Sequence, residues 1–248
     1  AMTTTAVDKG DRWVLNGQKM WISNAHVADI GLVFAYTDRE KGYRGMSCFI
    51  VDFREAKGVT RTPIETKLGL HCAPTGEIVF EDTEIPKDAI LGNPGEGFKI
   101  CMTMLDNTRL SCAARAVGVS QACLEAAVQY ANERVQFGRK IGEFQMIQDQ
   151  IARMYVEHEA ARLLVYRAAM HKDRDPNVRN TVEVSTAKYF AAEAAVNAAN
   201  EAMKIFGSYG YSTEYPVERF LRDSKSYQVV EGTSNIQKWI IARNVLGL

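Results

Sequence analysis

Gly97-Phe-Lys-Ile-Cys-Met-Thr-Met-Leu-Asp-Asn-Thr-Arg-Leu110-Ser-Cys-Ala-Ala-Arg-Ala-Val-Gly-Val-Ser120 opens a stretch that runs to about Gln136 without a proline. It is rich in alanine, and apolar residues recur every three or four positions. That spacing predicts one helix on the order of 55 Å long, at ~1.5 Å per residue. Two more long helices follow. Gln145 to Lys172 carries Ile147, Ile151, Met154 and Leu164 as its buried stripe and is broken by Asp173-Arg-Asp-Pro176. Thr181 to Phe206 is again dense in alanine and stops at Gly207-Ser-Tyr-Gly210, as glycine stops helices. Small side chains let helices approach closely, so the expected arrangement is an up-down bundle of long helices.

On the N-terminal side the character changes. Ile85-Pro86 through Gly92-Asn-Pro94-Gly95 is a composition break, which divides the chain into residues 1–92 and 93–248. Short apolar runs precede it: Arg12–Leu15, Gln18–Ser23, Ile30–Tyr36, Ser47–Phe53 and Glu77–Phe80. Gly, Asp and Pro punctuate them, and no amphipathic helix intervenes. Asn16-Gly17 between the first two reads as a hairpin turn. The fold class expected is α+β, with a small antiparallel β-barrel or sandwich followed by the helical bundle.

With 30 basic and 30 acidic residues the formal net charge is zero, which argues against a nucleic acid or an anionic membrane held by bulk charge. No apolar run reaches the ~20 residues that a membrane span needs. Cys48, Cys72, Cys101, Cys112 and Cys123 form no CxxC pair and no metal-ligand spacing, so they are expected to be reduced and mostly buried, in a reducing compartment. No metal site is expected.

Four stretches are candidates for chemistry. In Tyr227-Gln-Val-Val-Glu231-Gly-Thr-Ser-Asn-Ile-Gln237 a single carboxylate follows two valines and precedes a glycine and a capping pair, Thr233 and Ser234. Spacing alone reads Glu231 as an ordinary first-turn acid. Lys19-Met-Trp-Ile-Ser-Asn24 puts a tryptophan beside a hydroxyl; it reads as a core tryptophan in a sheet or as a ring that stacks on a planar ligand. Asp106 and Arg109, three apart, read as a helical ion pair. Arg134-Val-Gln-Phe137-Gly138 and Phe144-Gln145 lie in the turn between two long helices, where an arginine suits either solvent or a pyrophosphate. A satisfied structural role is the reading for His71.

Taken in order, these strings resemble the acyl-CoA dehydrogenases. Lys19-Met-Trp-Ile-Ser-Asn24, Lys67-Leu-Gly-Leu, Pro74-Thr-Gly-Glu, Phe80-Glu-Asp and Ile85-Pro86 are similar to the family's middle domain; Arg222-Asp-Ser-Lys-Ser-Tyr to Gln237 is similar to its carboxy-terminal signature. The resemblance implies FAD-dependent α,β-dehydrogenation of an acyl-CoA to the trans-2-enoyl-CoA, in fatty acid metabolism. Glu231 would be the base that removes the α-proton, with hydride passing to flavin N5. Some members carry the base one residue before the arginine at 109; this chain has Thr108 there, which implies Glu231. Trp21, Ile22 and Ser23 would face the flavin ring. Arg134, Phe137, Phe144 and Gln145 would meet the adenosine diphosphate half of FAD in a neighbouring subunit. Lys204, Gly207 and Ser208 stand where the family has Gln-Ile-Xaa-Gly-Gly, with lysine and serine as departures. Thr233 and Asn235 would complete the flavin contacts, and Asp106, Arg109 and Gly232 would border the thioester.

The family further implies a homotetramer (a dimer of dimers), electron-transferring flavoprotein as acceptor, and a bacterial cytoplasm or mitochondrial matrix. The family's amino-terminal helical domain and its Tyr-Xaa-Val/Leu-Thr-Glu-Pro strand have no counterpart here, which implies the carboxy-terminal two-thirds of a longer protein. Val229, Val230 and Thr108 suit a short, medium or cyclic acyl chain, with glutaryl-CoA less favoured. Alternatives on the same scaffold are an acyl-CoA oxidase or a flavin monooxygenase; outside catalysis, the chain would be a module with a role in assembly only.

Overall fold

The computed structural model describes residues 2–175 and 179–248. The notional helix breaker Pro176 lies outside them. Two units are distinguished by their internal contacts: residues 1–67 with 71–104, and residues 68–70 with 105–248.

The first unit is a seven-stranded sheet. Its strands are β1 (Thr5–Asp8), β2 (Arg12–Ser23), β3 (Ile30–Tyr36), β4 (Met46–Asp52), β5 (Val59–Pro63), β6 (Thr75–Pro86) and β7 (Ile90–Leu91). Their order is β5-β6-β2-β1-β3-β4-β7. Pairing is antiparallel except between β1 and β3, which meet in parallel at Thr5 and Tyr36. Alternating residues build the core: Trp13 and Leu15 from β2, Phe49 and Val51 from β4, Ile78 and Phe80 from β6. Trp13 meets Phe49 edge-on at 5.3 Å.

Asn16-Gly17 does not form the expected hairpin. β2 runs straight through it for 12 residues, and the pair is instead a bulge where the register against β6 shifts between Leu15 and Gly17. The same two residue types serve both devices, because each needs a left-handed or otherwise strained backbone. Gly17 has φ 133° and passes so close to the residue before β1 that a Cβ would lie 2.7 Å from the Thr4 Cα. Asn16 locks the bulge to the opposite strand: its Nδ2 donates to the Asp82 carboxylate at 2.9 Å, and its Oδ1 accepts from the Asp82 N–H at 2.8 Å. A second bulge lies between Lys19 and Ile22.

The second unit is helical. α1 (Gly97–Glu133) begins in the first unit and belongs to the second from Leu105 onward. It stops three residues short of expectation, because Val135–Gln136 (β8) and Arg139–Lys140 (β9) form a small hairpin. Phe137 and Gly138 at its tip both have positive φ, 53° and 78°, the combination a two-residue primed turn requires. Next come α2 (Gln145–Arg174), α3 (Thr181–Phe206), α4 (Val217–Tyr227) and α5 (Ser234–Val245). The central helix is α3, which packs on α2, α4 and α5. Ala187, Ala191, Ala194, Ala195, Ala198, Ala199 and Ala202 form its buried stripe. Alanine is the best helix former and brings helix axes together at ~8 Å.

None of the five cysteines forms a disulfide with another. Cys48, Cys112 and Cys123 are buried, whereas Cys72 is exposed and Cys101 is intermediate. Burial pushes the Cys48 thiol up to about 11 and the Cys123 thiol up to about 12. Thiolate is the reactive form. Alkylation at pH 8 is therefore expected at Cys72, with Cys48 and Cys123 slower by about 100-fold or more until the chain unfolds. Peptide mapping of labelled protein checks this; fast labelling of Cys123 in the native state would contradict its burial. Among the described residues no helix is long and apolar enough to cross a membrane.

Candidate active site

Glu231 sits in the turn that joins α4 to α5. Val229 and Val230 still donate back to the Ser226 carbonyl, each at 2.9 Å, continuing the end of α4. The chain then reverses: Glu231 has φ 57° and Gly232 φ 90°, and Thr233 caps α5 by accepting the Ile236 N–H. Two consecutive left-handed residues are rare, and a glutamate in the first of them is strained by about 1 kcal/mol.

Contacts on every side hold that turn. The Glu231 carboxylate accepts from the Thr108 hydroxyl at 2.6 Å. Its backbone carbonyl accepts from Arg109 Nε and from Gln237 Nε2, both at 3.1 Å. The Gly232 carbonyl accepts from Gln237 Nε2 at 3.0 Å and from Lys188 Nζ at 2.7 Å. Glycine is needed at 232, where a Cβ would lie 2.7 Å from Gln237 Nε2. Asp106 and Arg109 lie 3.7 Å apart and are both buried, and Asp106 also receives Arg179 Nε at 3.0 Å. The pair is thus more than a surface ion pair, since Arg109 reaches the backbone that carries Glu231.

Trp21 in the first unit is not a core residue. The second bulge turns it out with φ 62°, leaving 64% of it exposed. Ser23 is exposed and Ile22 half-buried. Ile22 and Ser23 line a cleft of about 350 Å³ with Lys19, Ile30, Leu32 and Phe34. The cleft exists because β1 is short: it pairs with β2 only from Trp13 to Asn16 and touches β3 only at Tyr36, so the far halves of β2 and β3 share no strand between them. Lys19 donates to the Phe34 carbonyl at 2.6 Å, and burial pulls its ammonium down to about 8.

Several of the remaining candidates in the second unit lie in or beside the β8–β9 hairpin. The Arg134 guanidinium lies over the Tyr209 ring at 5.2 Å, next in sequence to Gly207 and Ser208. Phe137 is 92% exposed and meets Phe144 edge-on at 6.2 Å. Gln145 is exposed at the start of α2, and Ser208 is exposed in a 3₁₀ turn, Gly207–Tyr211. Lys204 donates to Glu201 at 2.6 Å. Being half-exposed, that pair is weak, and the ammonium remains available to an anion. Asn235 is exposed in the first turn of α5, two residues beyond Thr233. His71 is exposed, its Nε2 2.7 Å from the Lys67 carbonyl.

Sequence reading missed Lys188, Glu193 and Gln237. Lys188 carried a signal: it falls in the stripe formed by Val184, Ala187, Ala191 and Ala195, where a lysine has no place unless it has work inside the protein.

Residues 1–83 match the family model described as acyl-CoA dehydrogenase, middle domain, and residues 95–246 match acyl-CoA dehydrogenase, C-terminal domain. The glutaryl-CoA dehydrogenase of Desulfococcus multivorans is 54% identical over 248 residues, covering 100% of this chain and 63% of that protein. The mitochondrial short-chain specific acyl-CoA dehydrogenase of Homo sapiens is 45% identical over 247 residues, covering 99% of this chain and 59% of that protein. Among solved structures, a glutaryl-coenzyme A dehydrogenase in complex with glutaryl-CoA superposes with a TM-score of 0.97 at 54% identity, over 100% of this chain and 62% of that one. The chain therefore spans less than two thirds of the length of these relatives. Both domain matches fall in sequence order on the two units of the fold, and the chain belongs to the acyl-CoA dehydrogenase family.

Proposed function

We propose that the protein carrying this chain performs FAD-dependent α,β-dehydrogenation of an acyl-CoA, with Glu231 as the base. The observation that carries this reading is a carboxylate on a strained, tightly held turn, fixed by a hydroxyl on one oxygen. The Thr108 hydroxyl occupies Oε2, which leaves Oε1 to take the α-proton. The Glu231 N–H polarises the thioester carbonyl, and one such donor contributes ~3–4 kcal/mol as enolate charge develops. Arg109 holds the Glu231 carbonyl, backed by Asp106, and Gly232 leaves room for the Gln237 amide to close on the turn.

FAD, when bound, accepts the hydride that leaves the β-carbon. Each unit, taken by itself, has residues that fit part of such a group: in the first, Trp21 offers an exposed indole face with the Ser23 hydroxyl two residues on; in the second, Arg134 and Lys204 offer cations suited to a diphosphate. The 92% exposure of Phe137 at a hairpin tip supports its reaching a cofactor in a neighbouring subunit. Tyr155, Val156, Leu163 and Tyr166, more than half exposed on α2, support an assembly of several subunits, and a homotetramer is proposed. Residues 1–92 and 93–248 are proposed as the two domains. A bacterial cytoplasm or mitochondrial matrix is the proposed setting.

The substrate is proposed to be a short acyl-CoA. Glutaryl-CoA comes first, from the 54% identity to an enzyme of that name, although residue reading alone favoured it less. The test takes the chain extended to the full length of its relatives. Anaerobic addition of glutaryl-, butyryl- or octanoyl-CoA is expected to bleach the flavin, and electron-transferring flavoprotein is expected to restore its colour. Rapid reoxidation by oxygen would make it an oxidase, and no bleaching by any acyl-CoA would end the dehydrogenase reading.

A further inference from the structure

Lys188 is fully buried on α3, and its ammonium points at a single backbone carbonyl, that of Gly232, 2.7 Å away. Burying a cation is costly unless something compensates, and here desolvation depresses its proton affinity while the neighbouring charges are Glu231, Arg109 and Glu193. Gln237 on α5 is also fully buried. Its Nε2 serves the carbonyls of Glu231 and Gly232, while its Oε1 has no partner among the described residues. A core built only for stability has no use for an orphaned amide oxygen and a lone ammonium. A methionine and a leucine would fill the same space at lower cost.

The same turn is tied to α3 at its two ends. Glu193, five residues beyond Lys188, accepts from Gln228 at 2.8 Å where the turn begins and from Ser234 at 2.6 Å where it ends. The Ser234 N–H also closes onto the Gln228 carbonyl at 3.0 Å. With its ends pinned, what remains to be set are the two successive peptides whose carbonyls belong to Glu231 and Gly232, and together they aim the carboxylate. We propose that Lys188 and Gln237 are positioning residues, which hold the Gly232 carbonyl from two helices and so keep the Glu231 carboxylate where a proton can be taken. This rests on Glu231 being the base.

The test compares Lys188→Met and Gln237→Leu in the full-length holoenzyme. Hydrogen exchange at the amides of residues 231–233 is expected to quicken at least tenfold. The kcat is expected to fall by ten- to a hundredfold, with the acyl-CoA KM changing less than threefold and the FAD content unchanged. Should Lys188→Met fail to fold, Gln237→Leu decides alone, since it removes the orphaned acceptor along with the clamp. Faster exchange with unchanged kcat would make the residues structural ties and overturn the proposal, as would exchange and kcat both within twofold of the parent. A failure of Glu231 itself is separable: Glu231→Gln would then keep its flavin reduction, while the exchange at 231–233 still reports whether the clamp exists.

Discussion

Glu231→Gln, in the protein extended to the full length of its relatives, is expected to retain FAD and bind acyl-CoA while losing turnover by several orders of magnitude. The substitution keeps shape and volume, and the amide oxygen of a glutamine still accepts the Thr108 hydroxyl that the carboxylate accepts at 2.6 Å. The left-handed backbone at 231 stays under the grip of Arg109 and Gln237. What disappears is a group able to take a proton, and that loss falls on the transition state rather than on substrate binding. In kinetic terms kcat and kcat/KM should drop together, a pattern that identifies an interaction made only at the barrier. Stopped-flow bleaching of the flavin measures it directly. A variant that bleaches at near-parental speed would show that the proton leaves by another route.

A large effect on stability, independent of any chemistry, is expected at Gly45→Ala in the β unit. A Cβ on Gly45 would lie 1.6 Å from the Asp38 carbonyl oxygen, which is backbone and has little freedom to move aside. The Gly45 carbonyl in turn accepts the N–H groups of Thr37 and Asp38, at 2.9 and 3.2 Å, so the two segments cannot part without losing both bonds. The Thr37 hydroxyl makes a third contact to the same oxygen at 3.1 Å. Strain and broken backbone bonds together put the cost at about 3 kcal/mol or more. For a domain near 100 residues that lowers the melting midpoint on the order of 15 °C, at ~4–8 °C per kcal/mol. Calorimetry on the parent and the variant checks this; a shift below about 3 °C would mean that the loop from Asp38 to Gly45 relaxes far more readily than its bonding implies.

The three long helices were legible because long amphipathic periods leave little choice, whereas the shorter α4 was not read from the sequence. Thr181–Phe206 matches its sequence boundaries, and α2 differs only at its end. The sheet was legible strand by strand but not in its connections. Asn16-Gly17 misled because the sequence specifies a strained backbone without specifying whether the chain turns back or only bulges, and the partner that decides, Asp82, lies 66 residues away. Trp21 was ambiguous for a similar reason: a bulge reverses which face a side chain takes, and alternation cannot reveal it. The carboxylate at 231 was found through resemblance. Its supports at Lys188, Glu193 and Gln237 depend on contacts between α3, α5 and the turn, which no local pattern encodes.

Keeping a glutamate at φ 57° has a bearing on directed evolution. Any selection that rewards heat tolerance alone would find Glu231→Gly attractive, because glycine sits in that conformation without steric penalty and relieves about 1 kcal/mol, less what it gives back to a floppier denatured chain. With Glu231 as the proposed base, such survivors would keep their fold and lose turnover. Libraries built on this scaffold should hold codon 231 fixed, or couple every thermal challenge to a turnover assay.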